Sequence, residues 1–383
     1  MSHREVAYEY VTSSGRFAEI LATYADEPRY AIDSEFLQNK SFVARLALVQ
    51  IAWPSFIILV DPFSVDLGLL TDLFASGAVA ILHAGSNDLP LLLEAVGSLP
   101  RFTFDTELAA QLLGLASTSL QGLAAALLDL ELDKSEQVRD WTIRPIPERA
   151  LDYAANDVIH LFDITDELTR DLIFCDRLEA LHEECAWQLA TVGHTDREMV
   201  WWKAKVLHRG TALEQMRAQY FFAARDDIAS RLNVPRNAVV HQDSAIEIIQ
   251  RPPATLAALV SRLGRTPAQL SSEDHQLLWA AIENSASAPA DELRVPDADV
   301  ADGELGLLLT LAKIYVRYTA HQWRISANFL ASHRDLVKFF RHEPTRLDVP
   351  WRRSAVTDAL SLLRSGSARL RVLGPELVLE THP

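Results

Sequence analysis

The stretch "RYAIDSEFLQNKSFVARLALVQIAW", residues 29–53, carries two carboxylates inside what otherwise reads as the first strand of a fold. Tyr30, Ile32 and Ser34 alternate with Ala31, Asp33 and Glu35, and in an extended chain residues two apart share a face. Asp33 and Glu35 therefore stand side by side among apolar neighbours. Two close carboxylates repel, and burial makes each harder to ionise. Such a face calls for positive charge.

Further strand-like runs follow at 43–52, 55–61 and 78–83, with "WPS" at 53–55 as the turn between the second and third. Helical patterns occupy 66–76, 88–96, 105–114, 119–128 and 147–170. Strands mixed with helices imply an α/β domain, a mixed sheet flanked by helices. From about residue 171 strand signals nearly vanish, and helical segments are punctuated by "NVPRN" (233–237), "RPP" (251–253) and "GRTP" (264–267). The stretch "SASAPADELRVPDADVADGE" (285–304) is small, acidic and proline-bearing, as a linker would be. Three units are expected: one α/β block and two all-α blocks.

A chain of 383 residues is too long for one ordinary core, which agrees with that division. The longest apolar stretch, "LALVQIAWPSFIILV", is broken by Gln50 and Pro54 and is too short to cross a membrane. The opening "MSHREVAYEYV" has no apolar core of a secretory signal. Cys175 and Cys185 have neither metal nor redox spacing and suit a reducing cytoplasm. No G-x-x-x-x-G-K-[ST] motif occurs, so no nucleotide cofactor is expected. The net charge of −16 argues at first against nucleic acid. However, residues 1–170 hold 11 Lys and Arg against 25 Asp and Glu, whereas residues 171–383 hold 25 against 27. The acid is concentrated in the α/β block, where it would recruit cations.

Two more acids occur in suggestive places. "VAILHAGSNDLPLLLEAVG" (79–97) runs from a strand through His83 to Asp88 at the opening of a helix. In "PERALDYAANDVIHLFDI" (147–164), Tyr153 and Asp157 are four apart and share a helix face. Asp33, Glu35, Asp88 and Asp157 make an oxygen-only set suited to two divalent ions, Mg²⁺ or Mn²⁺, rather than zinc. Paired divalent ions are a known arrangement for phosphodiester hydrolysis. Singly, each acid has a plainer reading: a solvated strand edge, a helix N-terminal residue, the wet side of a helix.

The order "DSE", "HAGSNDL", "YAANDV" resembles the DEDD exonuclease superfamily, and Tyr153–Asp157 fits the Y-x-x-x-D motif of its tyrosine subgroup. "LDKSEQVRDWTIRPIPERALDYAANDVIHL" (132–161) looks like the segment before the third motif in the ribonuclease D family. The resemblance implies a ribonuclease H-like 3′–5′ exonuclease domain over 1–190, HRDC-like helical domains at 203–288 and 305–383, and an acidic linker at 289–304. It assigns Asp33, Glu35, Asp88 and Asp157 to two metals and Tyr153 to orienting the attacking water. It implies a substrate of RNA with a single-stranded 3′ end, tRNA precursors being the family expectation, and release of nucleoside 5′-monophosphates. Phe36 is read either as stacking on a base or as core, and His83 as touching the terminal sugar or phosphate or as structural. Lys134, Arg139 and Arg144 are read either as guiding phosphates or as a solvated loop with local ion pairs, which are usually worth little. A DNA 3′–5′ exonuclease and a non-catalytic RNA-binding scaffold are the alternatives.

Overall fold

The computed structural model describes residues 7–37, 45–132, 139–193, 197–294 and 305–381. The described chain forms two bodies, one built from the N-terminal block together with 305–381, the other from 197–294.

The first body is built on a six-stranded mixed sheet in the order β1-β4-β3-β2-β5-β6. Its strands are β1 (Tyr8–Val11), β2 (Arg29–Leu37), β3 (Arg45–Trp53), β4 (Phe56–Val60), β5 (Val79–Leu82) and β6 (Phe102–Asp105). β3 and β4 form the antiparallel hairpin expected from "WPS", closing with Trp53 opposite Phe56. The pairs β1–β4, β2–β5 and β5–β6 are parallel. The central strands are apolar on both faces, as strands covered on both sides must be. β1 and β6 were not anticipated. Each is four residues long, too short for alternation to be read.

Among the described residues this block holds the α-helices α1 (Ser14–Thr23), α2 (Leu70–Ala75), α3 (Leu89–Val96), α4 (Thr106–Leu113), α5 (Leu120–Leu128), α6 (Glu148–Ile159), α7 (Leu161–Phe174) and α8 (Leu178–Thr191). The helical pattern at 147–170 is thus two helices broken at His160, whose backbone is still helical but carries no capping side-chain bond. β2 pairs with β5 from Arg29 to Ala31, and Asp33 and Glu35 lie farther along β2.

Residues 305–381, expected as a separate helical module, complete the same core. Leu309, Val316, Phe329, Trp351 and Leu360 are buried in one cluster with Leu108, Leu112, Leu168 and Leu181. The α4 terminus meets this segment at Gly114 (φ +67°), where an added Cβ would lie 1.7 Å from the Arg324 carbonyl oxygen. Arg177 bridges the two segments, donating to the Leu112 carbonyl at 2.6 Å and the Trp323 carbonyl at 2.8 Å. The segment ends in a hairpin, β7 (Ala368–Leu373) with β8 (Glu376–Thr381), inside a stretch expected to be helical.

The second body holds α9 (Ala212–Leu232), α10 (Arg236–Val239), α11 (Gln242–Gln250), α12 (Leu256–Leu263) and α13 (Ser272–Ser287). Capping boxes at Thr211–Glu214 and Ser271–Asp274 start its two longest helices. Trp201, Phe221, Phe222, Ile228, Ile249 and Leu278 form its core. Trp202 and Tyr220 pack against this core, so the aromatics at 201–202 and 220–222 supply packing. Among the described residues, no helix is long and apolar enough to cross a membrane.

Candidate active site

Asp33 and Glu35 are half-buried near the end of β2, while Asp88, Asp157 and Tyr153 are buried. Asp88 stands at the N-cap of α3 without using its side chain to cap the helix. Its carboxylate instead accepts a hydrogen bond from Ser34 Oγ at 2.5 Å. Asp157 accepts one from the Tyr153 side chain, one turn earlier on α6.

The electrostatics tie the four acids together. Burial pushes Asp33 up to about 6, against a hydrogen bond from the Ser34 backbone. Burial, then the charges of Asp33, Asp157 and Asp88, push Glu35 up to about 10. Asp88 is held well above its usual range by burial and the Asp33 charge, and Asp157 by the same two causes. The chemistry of this donor set fits a divalent cation, which would replace mutual repulsion by attraction. As the side chains stand, no group of three or more His, Cys, Asp or Glu among the described residues is arranged to hold one ion.

Other expected contacts fare differently. His83 is half-buried, and burial lowers its pKa below the usual histidine value. Thr106 Oγ1 gives its hydrogen to the Leu82 carbonyl at 3.1 Å, so His83 Nδ1, 2.9 Å from the same oxygen, is the donor there. The neutral ring then keeps its Nε2 lone pair. Phe36 is half-buried at the end of β2. Lys134 lies outside the described residues. Arg144 is no free cation: its Nε lies 2.7 Å from Asp61 Oδ2.

Two residues not singled out from the sequence shape the site. Ser34 is one, lying between the paired acids. The other is Asp105, fully buried, which accepts from the Ala84 and Gly85 amides at 3.1 and 2.8 Å. It also caps α4 through the Glu107 and Leu108 amides and receives Gln188 Nε2 at 2.9 Å. Ala84 has φ +54°, costly for a side-chain-bearing residue, and the Asp105 bonds hold that turn on the path to Asp88. The pattern Asp105-Thr-Glu before an apolar helix is a readable N-cap signal, although nothing in it reveals the reach back to residues 84 and 85.

The 3′–5′ exonuclease domain family matches residues 8–173. Ribonuclease D of Xanthomonas oryzae pv. oryzae is 33% identical over 350 residues, covering 89% of this chain and 94% of the relative. Ribonuclease D of Jannaschia sp. is 30% identical over 85% of this chain and 87% of its own length. Among solved structures, Escherichia coli RNase D, an exoribonuclease involved in structured RNA processing, superposes with a TM-score of 0.80 at 25% identity. That likeness covers 94% of this chain and 99% of the other. The catalytic core of Trypanosoma brucei RRP6 shares the fold with a TM-score of 0.62 at 22% identity, over 75% and 82% of the two chains. The mixed sheet, its flanking helices and these relatives lead to one conclusion: the chain belongs to the ribonuclease D family and is a 3′–5′ exoribonuclease acting on RNA.

Proposed function

We propose that this exoribonuclease trims single-stranded 3′ ends of structured RNAs, tRNA precursors among them, at a site made by Asp33, Glu35, Asp88, Tyr153 and Asp157. The observation that carries the reading is that β2, α3 and α6 bring the four carboxylates within reach of one another's charge, Asp33 acting on Glu35, Asp88 and Asp157. Asp33, Glu35, Asp88 and Asp157 would hold two divalent ions, Mg²⁺ or Mn²⁺, which supply a water of lowered pKa and neutralise charge on the scissile phosphate. Tyr153, hydrogen-bonded to Asp157, would orient the attacking water through its phenol. A phenol of ordinary pKa near 10 keeps its proton at neutral pH, so Tyr153 acts as a positioner and not as the base. Ser34 would aim the Asp88 carboxylate. His83 would meet the terminal sugar through Nε2, Phe36 would stack on the last base, and Lys134 would guide phosphates. We read 203–288 as HRDC-like and 305–383 as a diverged relative of it.

The test incubates the full chain with 5′-labelled RNA and matching DNA carrying 3′ tails, with Mg²⁺, Mn²⁺ or EDTA. The expected result is a metal-dependent ladder shortening from the 3′ end of RNA. Asp33→Asn abolishes the ladder while RNA binding remains measurable. Near-normal turnover by Asp33→Asn removes that residue from the site. Equal digestion of DNA makes this a broader nuclease.

A further inference from the structure

Arg144 faces the sheet. Its Nε and Nη2 engage the two oxygens of Asp61, at 2.7 and 2.9 Å. Nη2 also donates to the Ala47 carbonyl at 2.6 Å, and Nη1 to the Trp141 carbonyl at 2.7 Å. Tyr10 Oη reaches Asp61 at 2.7 Å, and Phe63 lies under the guanidinium at 4.6 Å. All three nitrogens of the fork are thus spent on protein groups. The acceptors come from the β3 backbone, the residue after β4 and the turn that carries Trp141. Only a planar guanidinium reaches acceptors on three sides at once.

Trp141, fixed through its own carbonyl, is buried with its ring centre 6.2 Å from that of Tyr153, the planes tilted by 37°. Among the described residues its buried Nε1–H has no acceptor, so the ring contributes through its shape. Tyr153 in turn hydrogen-bonds Asp157.

We infer that Arg144 and Trp141 are positioning residues for hydrolysis: Arg144 pins the turn to β3 and Asp61 so that Trp141 backs the Tyr153 ring and holds its phenol against Asp157. The inference rests on the proposed role of Tyr153. It replaces the phosphate-guiding role that the sequence suggested for Arg144.

Single-turnover hydrolysis of 5′-labelled RNA by the full chain tests this, with Arg144→Met, Arg144→Lys, Trp141→Leu and Trp141→Phe in the wild-type and Tyr153→Phe backgrounds. Arg144→Met is expected to slow the chemical step about tenfold, as a small displacement of a catalytic group does. KM and its salt dependence stay unchanged. In the Tyr153→Phe background the same substitution is expected to cost less than about twofold, because residues acting as a unit are not additive. Trp141→Phe keeps most of the rate. If Arg144→Met fails to fold, Arg144→Lys and Trp141→Leu carry the same comparison. A raised KM with a shallower salt dependence makes Arg144 a phosphate contact and overturns the inference. Equal losses in both backgrounds reduce the clasp to general support and overturn it too. A silent Tyr153→Phe in an active enzyme instead removes the role of Tyr153, and this inference falls with it.

Discussion

Arg352 Nε donates to Glu184 Oε1 at 2.7 Å, with both side chains fully shielded from solvent. Glu184 belongs to α8 of the exonuclease block, and Arg352 to the segment that follows the inserted helical body. Around the pair, Trp351 Nε1 donates to Glu184 at 2.5 Å, Arg346 Nε does so at 2.7 Å, and Arg352 Nη1 binds the Phe329 and Leu330 carbonyls. Both Glu184 oxygens thus find donors, which is what makes a buried charge tolerable, while Arg352 Nη2 is buried without a partner among the described residues.

Arg352→Met is therefore expected to destabilise the first body by roughly 3–5 kcal/mol, the usual effect of leaving one buried charge without its partner. Denaturant unfolding of the full chain measures this. A change under about 1 kcal/mol, in the range of exposed pairs, would mean that the network carries little of the core.

The same pair sets a pH dependence. Burial works to raise the Glu184 pKa, but the hydrogen bonds and charges of Arg352 and Arg346 outweigh it, and the net shift is downward. A carboxyl lowered in the folded state stabilises above its unfolded pKa, about 4.3, and loses that contribution as pH falls through the folded value. The stability gap between wild type and Glu184→Gln should stay level from neutral pH to about pH 5 and shrink below about pH 4. A gap that widens on acidification contradicts the assignment.

Gly114→Ala and Gly97→Ala form a matched pair. Both glycines have positive φ, +67° and +81°, but only at Gly114 would the new methyl strike backbone, the Arg324 carbonyl oxygen at 1.7 Å. Gly97→Ala should cost about 1 kcal/mol for conformation alone, and Gly114→Ala roughly 3 kcal/mol or more. Melting both variants decides it. Equal losses would mean that the 305–381 segment does not press on α4.

Asp105→Ala leaves the Ala84 and Gly85 amides without their acceptor and strips the cap from α4. A loss of roughly 2–4 kcal/mol follows from the buried amides and the cap together. Hydrolysis should slow as well, because the turn toward Asp88 loses its anchor. A stable variant with an unchanged rate would sever Asp105 from the site.

Much of this was legible in the sequence. The alternation in 29–36 marks β2, and the four acids and Tyr153 stand at spacings that the fold brings into electrostatic contact. The hairpin at 53–55 could be read because turn residues separate two apolar runs. What could not be read is partnership. Periodicity shows that a helix such as Gly306–Trp323 has an apolar face, but not that the face packs with Leu108 and Leu168 more than a hundred residues earlier. For Arg144 the sequence left phosphate guidance and a loop ion pair both open, because it shows a charge without its counter-charge, Asp61. Asp105 looked like a cap because its second use is tertiary.

The pairing of Glu184 with Arg352 also has a temporal side. Their separation of 168 residues means that, during synthesis, α8 leaves the ribosome long before its counter-charge exists. At about 5–20 residues per second the delay is roughly 10–30 s. Through that interval an unpaired glutamate and an uncovered apolar surface wait on α4, α7 and α8, while 197–294 emerges with a core of its own. The inserted body can fold before the exonuclease core closes, which happens only when 305–381 arrives. Completion of the exonuclease core thus waits on 305–381, and a chain cut short after the inserted body carries every acid of the proposed site without the core that supports them.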